Sequence, residues 1–240
     1  DFEVADARTL LDHLATRADV QLDGVGDPRV GVAGGSYGGA LALMLAGSDP
    51  RVDAVASAIT WHDLANALVP SRRGAQDGVF KRRWASLLFS SAVNAAPRTT
   101  PVGPINVCGR FDPTLCRVFL DAADTGTVSP TMEQILRRNS PAPLLSGVKA
   151  PTLLLQGMRD SLFGLDQSDA TARALTAQGV PVALRWFDGG HDGGAAPSDA
   201  DTLLPWFERY LTDAGRSGGG EPPLPAFSAP VPVTGGERDI

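Results

Sequence analysis

The chain is 240 residues long, 43% hydrophobic and 20% charged, which suits one globular α/β domain with a sizeable core. Its net charge of −6 leaves no basic stripe to neutralise phosphates, so nucleic acid is excluded as a partner and small neutral or cationic substrates are favoured. No apolar run approaches the length that crosses a bilayer, and no signal peptide is visible.

In chain order, Asp1-Phe2-Glu3-Val4 leads straight into a helix with Val4, Ala7, Leu11, Leu14 and Ala18 along one face. Asp23 to Pro28 is a turn, and Arg29–Ala33 a short buried strand. This strand leads into Gly34-Gly35-Ser36-Tyr37-Gly38-Gly39 and then into Ala40–Ala46, which is apolar almost all round, as in a helix buried against a sheet. Gly47 to Pro50 stops that helix. Val52–Ile59 is the next strand and closes at Thr60-Trp61-His62-Asp63. Ligands of open α/β sheets bind beyond the carboxyl ends of strands, so this end belongs near a site. Trp61 reads equally as a substrate-lining residue or as a core aromatic.

From Leu64 to Val148 the pattern changes. Short helical pieces, Phe80–Ser90 and Met132–Arg138, alternate with proline- and glycine-rich loops at Pro97 to Pro104 and Ser140 to Pro143, and no run resembles a buried parallel strand. A helical cap inserted over the functional edge of the sheet is expected. The basic residues Arg72, Arg73, Lys81, Arg82 and Arg83 fall within it and read as a solvated surface rather than a carboxylate-recognition patch. Cys108 and Cys116, the two cysteines, lack the partners of a zinc site. They are two buried thiols or one disulfide, and a disulfide would favour secretion over the cytoplasm.

The sheet resumes at Ala150–Gln156, followed by Gly157-Met158-Arg159-Asp160-Ser161-Leu162-Phe163. A helix over Leu165–Gln178 and a strand over Val180–Phe187 follow, and the strand ends in Asp188-Gly189-Gly190-His191-Asp192-Gly193-Gly194. A last helix spans Asp199–Leu211, and Ser217–Ile240 reads as a linker entering a further module. The expected organisation is a first core part with the glycine-rich turn (1–63), the helical cap (64–148), a second core part (149–213) and a linker (214–240). A parallel sheet that begins this close to its glycine-rich turn implies earlier strands, so the N-terminal strands are expected to lie outside this chain.

Gly34-Gly35-Ser36-Tyr37-Gly38 is a Gly-x-Ser-x-Gly pattern with a strand before it and a helix after it, the setting of a nucleophile elbow. A serine on so sharp a turn is strained, and side chains two residues to either side would collide with neighbouring main chain, so Gly34 and Gly38 are expected to relieve that collision. The hydroxyl then sits at a helix N-terminus, where amide N–H groups face a developing negative charge. A phosphate loop is not supported, because its lysine and the Gly-x-Gly-x-x-Gly fingerprint are both absent.

Serine needs a base to take its proton and an acid group to hold that base in one tautomer. The α/β-hydrolase order is Ser, then Asp or Glu, then His, and here Asp160 follows one strand and His191 the next. Of the three histidines, His13 lies inside the first helix and His62 precedes the cap, which leaves His191 as the base. Asp166 and Asp169 lie a turn or more into a helix and point away. Asp188 and Asp192 adjoin the histidine, where a side chain rarely reaches the remote ring nitrogen. Asp160 is therefore the orienting acid, and the Tyr37 N–H is one donor of an oxyanion hole.

With GGSYGG at Gly34–Gly39, GMRDSLF at Gly157–Phe163 and GGHDGG at Gly189–Gly194, the chain resembles the X-Pro dipeptidyl-peptidase and cocaine-esterase-like group of α/β-hydrolases over roughly Asp1 to Leu211. The resemblance implies a mostly parallel sheet with helices on both faces and an inserted helical cap. It also implies that Ser36 is the nucleophile, Asp160 the acid and His191 the base. An upstream tyrosine hydroxyl would complete the oxyanion hole, and a β-sandwich domain would follow the hydrolase. Ester, amide or short peptide substrates, prolyl peptides among them, are implied, with no metal or organic cofactor. The competing class is a catalytically silent hydrolase-like module that binds a ligand or partner.

Overall fold

The computed structural model describes residues 2–70, 78–94, 108–109, 111–233 and 236–239. Two compact units are present, one made of Asp1–His62 with Ser140–Ile240 and the other of Asp63–Asn139. The first opens with α1 (Phe2–Leu14), a short antiparallel pair β1 (Leu22–Gly24) and β2 (Asp27–Pro28), then β3 (Val30–Gly35), α2 (Tyr37–Ala46) and β4 (Val52–Ala58). The second holds α3 (Leu64–Leu68), α4 (Arg82–Asn94), α5 (Pro113–Thr125) and α6 (Pro130–Arg138). The first unit resumes with a 3-10 turn at Ala142–Gly147, β5 (Thr152–Gly157), α7 (Leu165–Thr176) and β6 (Val182–Phe187). Two-residue strands β7 (Gly189–Gly190) and β8 (Gly193–Gly194) follow, then α8 (Leu203–Leu211), α9 (Asp213–Ser217), β9 (Phe227–Ser228), β10 (Pro230–Val233) and β11 (Gly236–Asp239).

Five strands form one parallel sheet in the order β3-β4-β5-β6-β9. Alternate side chains along a strand point to opposite faces, and the core divides accordingly. Val55, Leu154 and Leu184 pack with Val4 and Leu11 of α1, Leu43 and Leu45 of α2 and Leu175 of α7. Ala54, Ala56, Leu153, Leu155 and Ala183 face the other way, onto Trp206 and Phe207 of α8. The small residues on that second face make room for the large ones. Trp206 is fully buried, and a Cβ on Gly31 would come within 2.5 Å of the Phe207 ring. Burying one such large apolar side chain stabilises the fold by roughly 1.5–3 kcal/mol, which is how a single amphipathic helix closes this face.

Several elements differ from the sequence reading. α1 tightens at its end, where Thr16 N–H donates to the His13 carbonyl, so Ala18 lies beyond the helix and is exposed. The last helix is split. A 3-10 turn at Asp199–Asp201 precedes α8, and the restart at Leu203 puts Pro205 in the first turn, the place in a helix where a residue without an N–H is tolerated. The stretch read as a linker supplies the fifth strand: Phe227–Ser228 pairs with Leu184–Arg185, and Leu184 N–H donates to the Ala226 carbonyl. Two residues are too few to show an alternating pattern, and the flanking prolines read as loop.

In the helical unit, α5 and α6 start in the same way, each with a capping side chain followed by proline. Asp112 accepts from the N–H groups of Thr114 and Leu115, and Ser129 accepts from Met132 N–H. Asp63 caps α3 and pairs with Arg137 of α6. Phe89 stacks between Phe111 and Phe119, with ring centroids 4.4 and 4.2 Å away. Cys108 and Cys116 form a disulfide, which resolves the alternative left by the sequence. Of the basic residues, Arg82 donates to the Ala123 carbonyl and Arg83 is exposed, while Arg72, Arg73 and the loop at Pro97 to Pro104 lie outside the described residues. No helix among the described residues is long and apolar enough to cross a membrane.

Candidate active site

The turn between β3 and α2 is fixed by main-chain contacts. Ser36 takes φ 52° and ψ −119°, a conformation that costs on the order of 1–3 kcal/mol for a residue with a side chain. Its N–H donates to the Ala58 carbonyl at 2.8 Å. Its own carbonyl accepts from the Gly39 and Ala40 N–H groups and, at 2.7 Å, from the Thr60 hydroxyl. Thr60 reaches that carbonyl because the chain turns sharply after β4, where Ile59 has φ 42°, rare for a β-branched residue.

Glycine is needed here at one of the two expected positions, Gly34, and at Gly39 rather than Gly38. A Cβ on Gly34 would overlap the Gly38 carbonyl, and one on Gly39 would lie 2.9 Å from the Ala58 carbonyl oxygen. A Cβ on Gly38 would meet nothing within 4 Å. Gly38 contributes the main chain that Gly34 must avoid, and the second close approach belongs to Gly39, where α2 crosses the end of β4.

Ser36, Asp160 and His191, from three strand ends, meet in one hydrogen-bonded chain. His191 Nε2 lies 2.7 Å from Ser36 Oγ, and His191 Nδ1 lies 2.7 Å from Asp160 Oδ2. The Asp160 side chain is wholly buried. Its Oδ1 accepts from the N–H groups of Leu162 and Phe163, and its Oδ2 from His191 N–H and, at 3.4 Å, from the Gln156 amide. A carboxylate so placed accepts from Nδ1–H, which leaves Nε2 bare toward the serine hydroxyl, the tautomer that proton abstraction needs.

The family model for X-Pro dipeptidyl-peptidase (S15 family) matches residues 5–191, from α1 through His191. The chain belongs to that family. The acetyl xylan esterase from Paenibacillus sp. R4 is 20% identical with a TM-score of 0.52, over 87% of this chain and 52% of that one, and supports the α/β-hydrolase fold. The acylaminoacyl peptidase of Pyrococcus horikoshii is 20% identical (TM-score 0.46; 76% of this chain, 24% of that one). A puromycin-hydrolyzing peptidase of Mycobacterium tuberculosis is 24% identical (TM-score 0.45; 78% and 22%). The chain thus spans about a quarter of the length of these two peptidases. No curated protein matches it.

The other residues singled out in this S15 chain lie close by or elsewhere. Tyr37 is the first residue of α2, so its N–H has no acceptor within the helix. Its phenol donates to Glu3 of α1, and partial desolvation followed by that contact pushes it above the usual tyrosine range, although the residue is more than half exposed. Glu3 is held below the usual carboxylate range by its own backbone N–H and by Tyr37. Trp61 is buried, its ring centroid 6.3 Å from Tyr37 and 5.2 Å from Phe163, and Phe163 meets the His191 ring edge-on at 5.2 Å. The His62 ring engages Thr171 of α7, and His13 is exposed at the end of α1. Asp166 accepts from Gln167, Asp169 pairs with Arg173, Asp188 with Arg159, and Asp192 accepts from Ser161. Among the described residues, no three His, Cys, Asp or Glu side chains gather as metal ligands.

Gln156 and Gly190 also shape the site and escaped the sequence reading, while Thr60, at the strand end expected near a site, bonds to the Ser36 carbonyl. A signal existed for Gln156, a polar residue closing an otherwise apolar buried strand, because buried amides are kept where something needs their hydrogen bonds. Gly190 has φ +146°, and a Cβ there would lie 2.6 Å from Asp160 Cβ. Nothing local marks it out from the three other glycines around His191.

Proposed function

We propose that this chain carries the reacting centre of a serine hydrolase that cleaves an ester or amide bond, X-Pro peptides among the candidates, through an acyl-enzyme. Ser36 Oγ attacks the carbonyl carbon while its proton passes to His191 Nε2. The imidazolium gives that proton to the leaving oxygen or nitrogen as the carbonyl–heteroatom bond breaks. Water then attacks the acyl-serine, its proton passes to His191, and Ser36 regains a proton as the acid departs. Asp160 keeps the imidazole in one tautomer and stabilises its charged form. The Tyr37 N–H, unpaired within its helix and adjoining the nucleophile, donates to the oxyanion. Trp61, packed between Tyr37 and Phe163, backs the apolar surface beside the acyl group.

The observation that carries this reading is the serine–histidine–aspartate chain of two 2.7 Å contacts on a strained elbow. Membership of the S15 family supports the reaction class. A fluorophosphonate probe should label the full-length protein at Ser36, and Ser36→Ala should abolish labelling and cut turnover by about a millionfold, as loss of a triad member does elsewhere. A folded protein that takes no label would sink the proposal and favour a silent binding module. A prolyl dipeptide anilide and a short-chain nitrophenyl ester, assayed side by side, distinguish peptidase from esterase. The disulfide favours an oxidising compartment for the protein.

A further inference from the structure

Residues 189–194 read Gly-Gly-His-Asp-Gly-Gly and fold as a miniature antiparallel hairpin: Gly189 pairs with Gly194, Gly190 with Gly193, and His191-Asp192 is the two-residue tip. Strands made only of glycine have no side chains to pack and pay the largest entropy on ordering, so such a hairpin has little rigidity of its own. The tip carries the only two side chains in the hairpin. Both reach the loop after β5 and grip consecutive residues there, His191 on Asp160 and Asp192 on Ser161. The second grip is bidentate: Ser161 N–H donates to Asp192 Oδ2 at 2.7 Å and the Ser161 hydroxyl to Oδ1 at 2.9 Å. Below the tip, Met158 N–H donates to the Phe187 carbonyl and Arg159 N–H to that of Gly189, so the two loops are joined up to the site.

We infer that Asp192 is a positioning residue: its two bonds to Ser161 stop the glycine hairpin from pivoting and so hold the His191 ring between Asp160 and Ser36. The Asp160 contacts alone leave a hinge. His191 N–H and Nδ1 both converge on Asp160 Oδ2, and the main-chain bond from Arg159 N–H to the Gly189 carbonyl lies at the base of the hairpin rather than at its tip. Asp192 supplies the second point, one residue further along each loop, and two points fix an orientation. A carboxylate suits this place because both oxygens accept and charge-assisted bonds are the stronger kind. The kinetic consequence rests on the acyl-transfer reading above, whereas the geometric one does not.

The test compares Asp192→Ala, Asp192→Asn, Ser161→Ala and the Asp192→Ala/Ser161→Ala double variant in the full-length protein, with a short-chain nitrophenyl ester as substrate. Thermal unfolding checks each fold, and the downfield ring proton of His191 is followed by NMR. Asp192→Ala should lower kcat about ten- to a hundredfold at unchanged KM, the loss expected for a reacting group displaced by roughly an ångström, and should broaden the ring-proton signal. Asp192→Asn, which keeps one acceptor, should lose less. Ser161→Ala, which keeps its N–H, should also lose less and add nothing to Asp192→Ala. If the alanine variant does not fold, the asparagine and serine variants carry the test. An unchanged kcat with an unchanged ring proton, a loss confined to KM, or additive losses would overturn the inference. Should Ser36→Ala keep full turnover, the acyl-transfer reading fails instead, and the ring proton alone then decides whether Asp192 orients His191.

Discussion

Ser36 and His191 stand 2.7 Å apart, yet they are held by opposite means. The elbow is fixed by main chain. Its serine is bonded through N–H and C=O to β4, to Thr60 two residues beyond β4 and to the first turn of α2, and Gly34 and Gly39 are required because two backbones come within van der Waals range. The hairpin is joined to the loop after β5 by one main-chain bond, from Arg159 N–H to the Gly189 carbonyl, and by the side chains of its tip, His191 and Asp192, and Gly190, Gly193 and Gly194 take positive φ. The same residue type thus does two jobs. At the elbow it makes space, and in the hairpin it permits a backbone shape and, at Gly190, also makes space beside Asp160. Strain at the elbow is borne by the sheet, whereas the hairpin, whose strands carry no side chains, is held from the loop after β5.

Substitutions that separate the two jobs can break this contrast. The largest effect is expected for Gly34→Ala, where the added methyl meets the Gly38 main chain and nothing flexible can yield, so stability should fall by more than about 3 kcal/mol in urea titrations. A smaller loss, about 1–3 kcal/mol, is expected for Gly190→Ala, which imposes an unfavourable φ and crowds Asp160. Because the hairpin is small and lies at the surface, this variant should lose turnover out of proportion to its stability, and an equal loss of both would argue that the hairpin is as rigid as the elbow. The smallest effect is expected for Gly38→Ala. Its methyl enters open space on a helix, so stability should change by no more than about 1 kcal/mol, on the favourable side. A collapse there, comparable to that of Gly34→Ala, would show that the space requirement at the elbow is symmetrical after all.

The apolar runs marked the first four strands of the sheet, because a parallel strand is legible as a run of Val, Ala and Leu between turn residues, although β3, read as buried, stands at the end of the strand order and is only partly covered. α5 was not singled out, although Asp112-Pro113 begins it as Ser129-Pro130 begins α6, because proline was read as a loop marker rather than as the first residue of a helix. β9 was missed because its stability comes from the neighbour it pairs with, and a two-residue segment carries no periodicity.

What the sequence by itself determined was the order of three side chains along the chain: a serine on a glycine-rich turn, an aspartate after the next-to-last long strand and a histidine after the last. The carboxyl ends of parallel strands share one edge, so three residues that each follow a strand end up at the same edge. Only the tertiary structure decided which of the glycines are obligatory and which donors surround Asp160. It alone joined Cys108 to Cys116 and tied Asp192 to Ser161, 31 residues away. These depend on distances between segments far apart in the chain, set by how β4, β5 and the glycine hairpin pack side by side. A local pattern carries no trace of its distant neighbours.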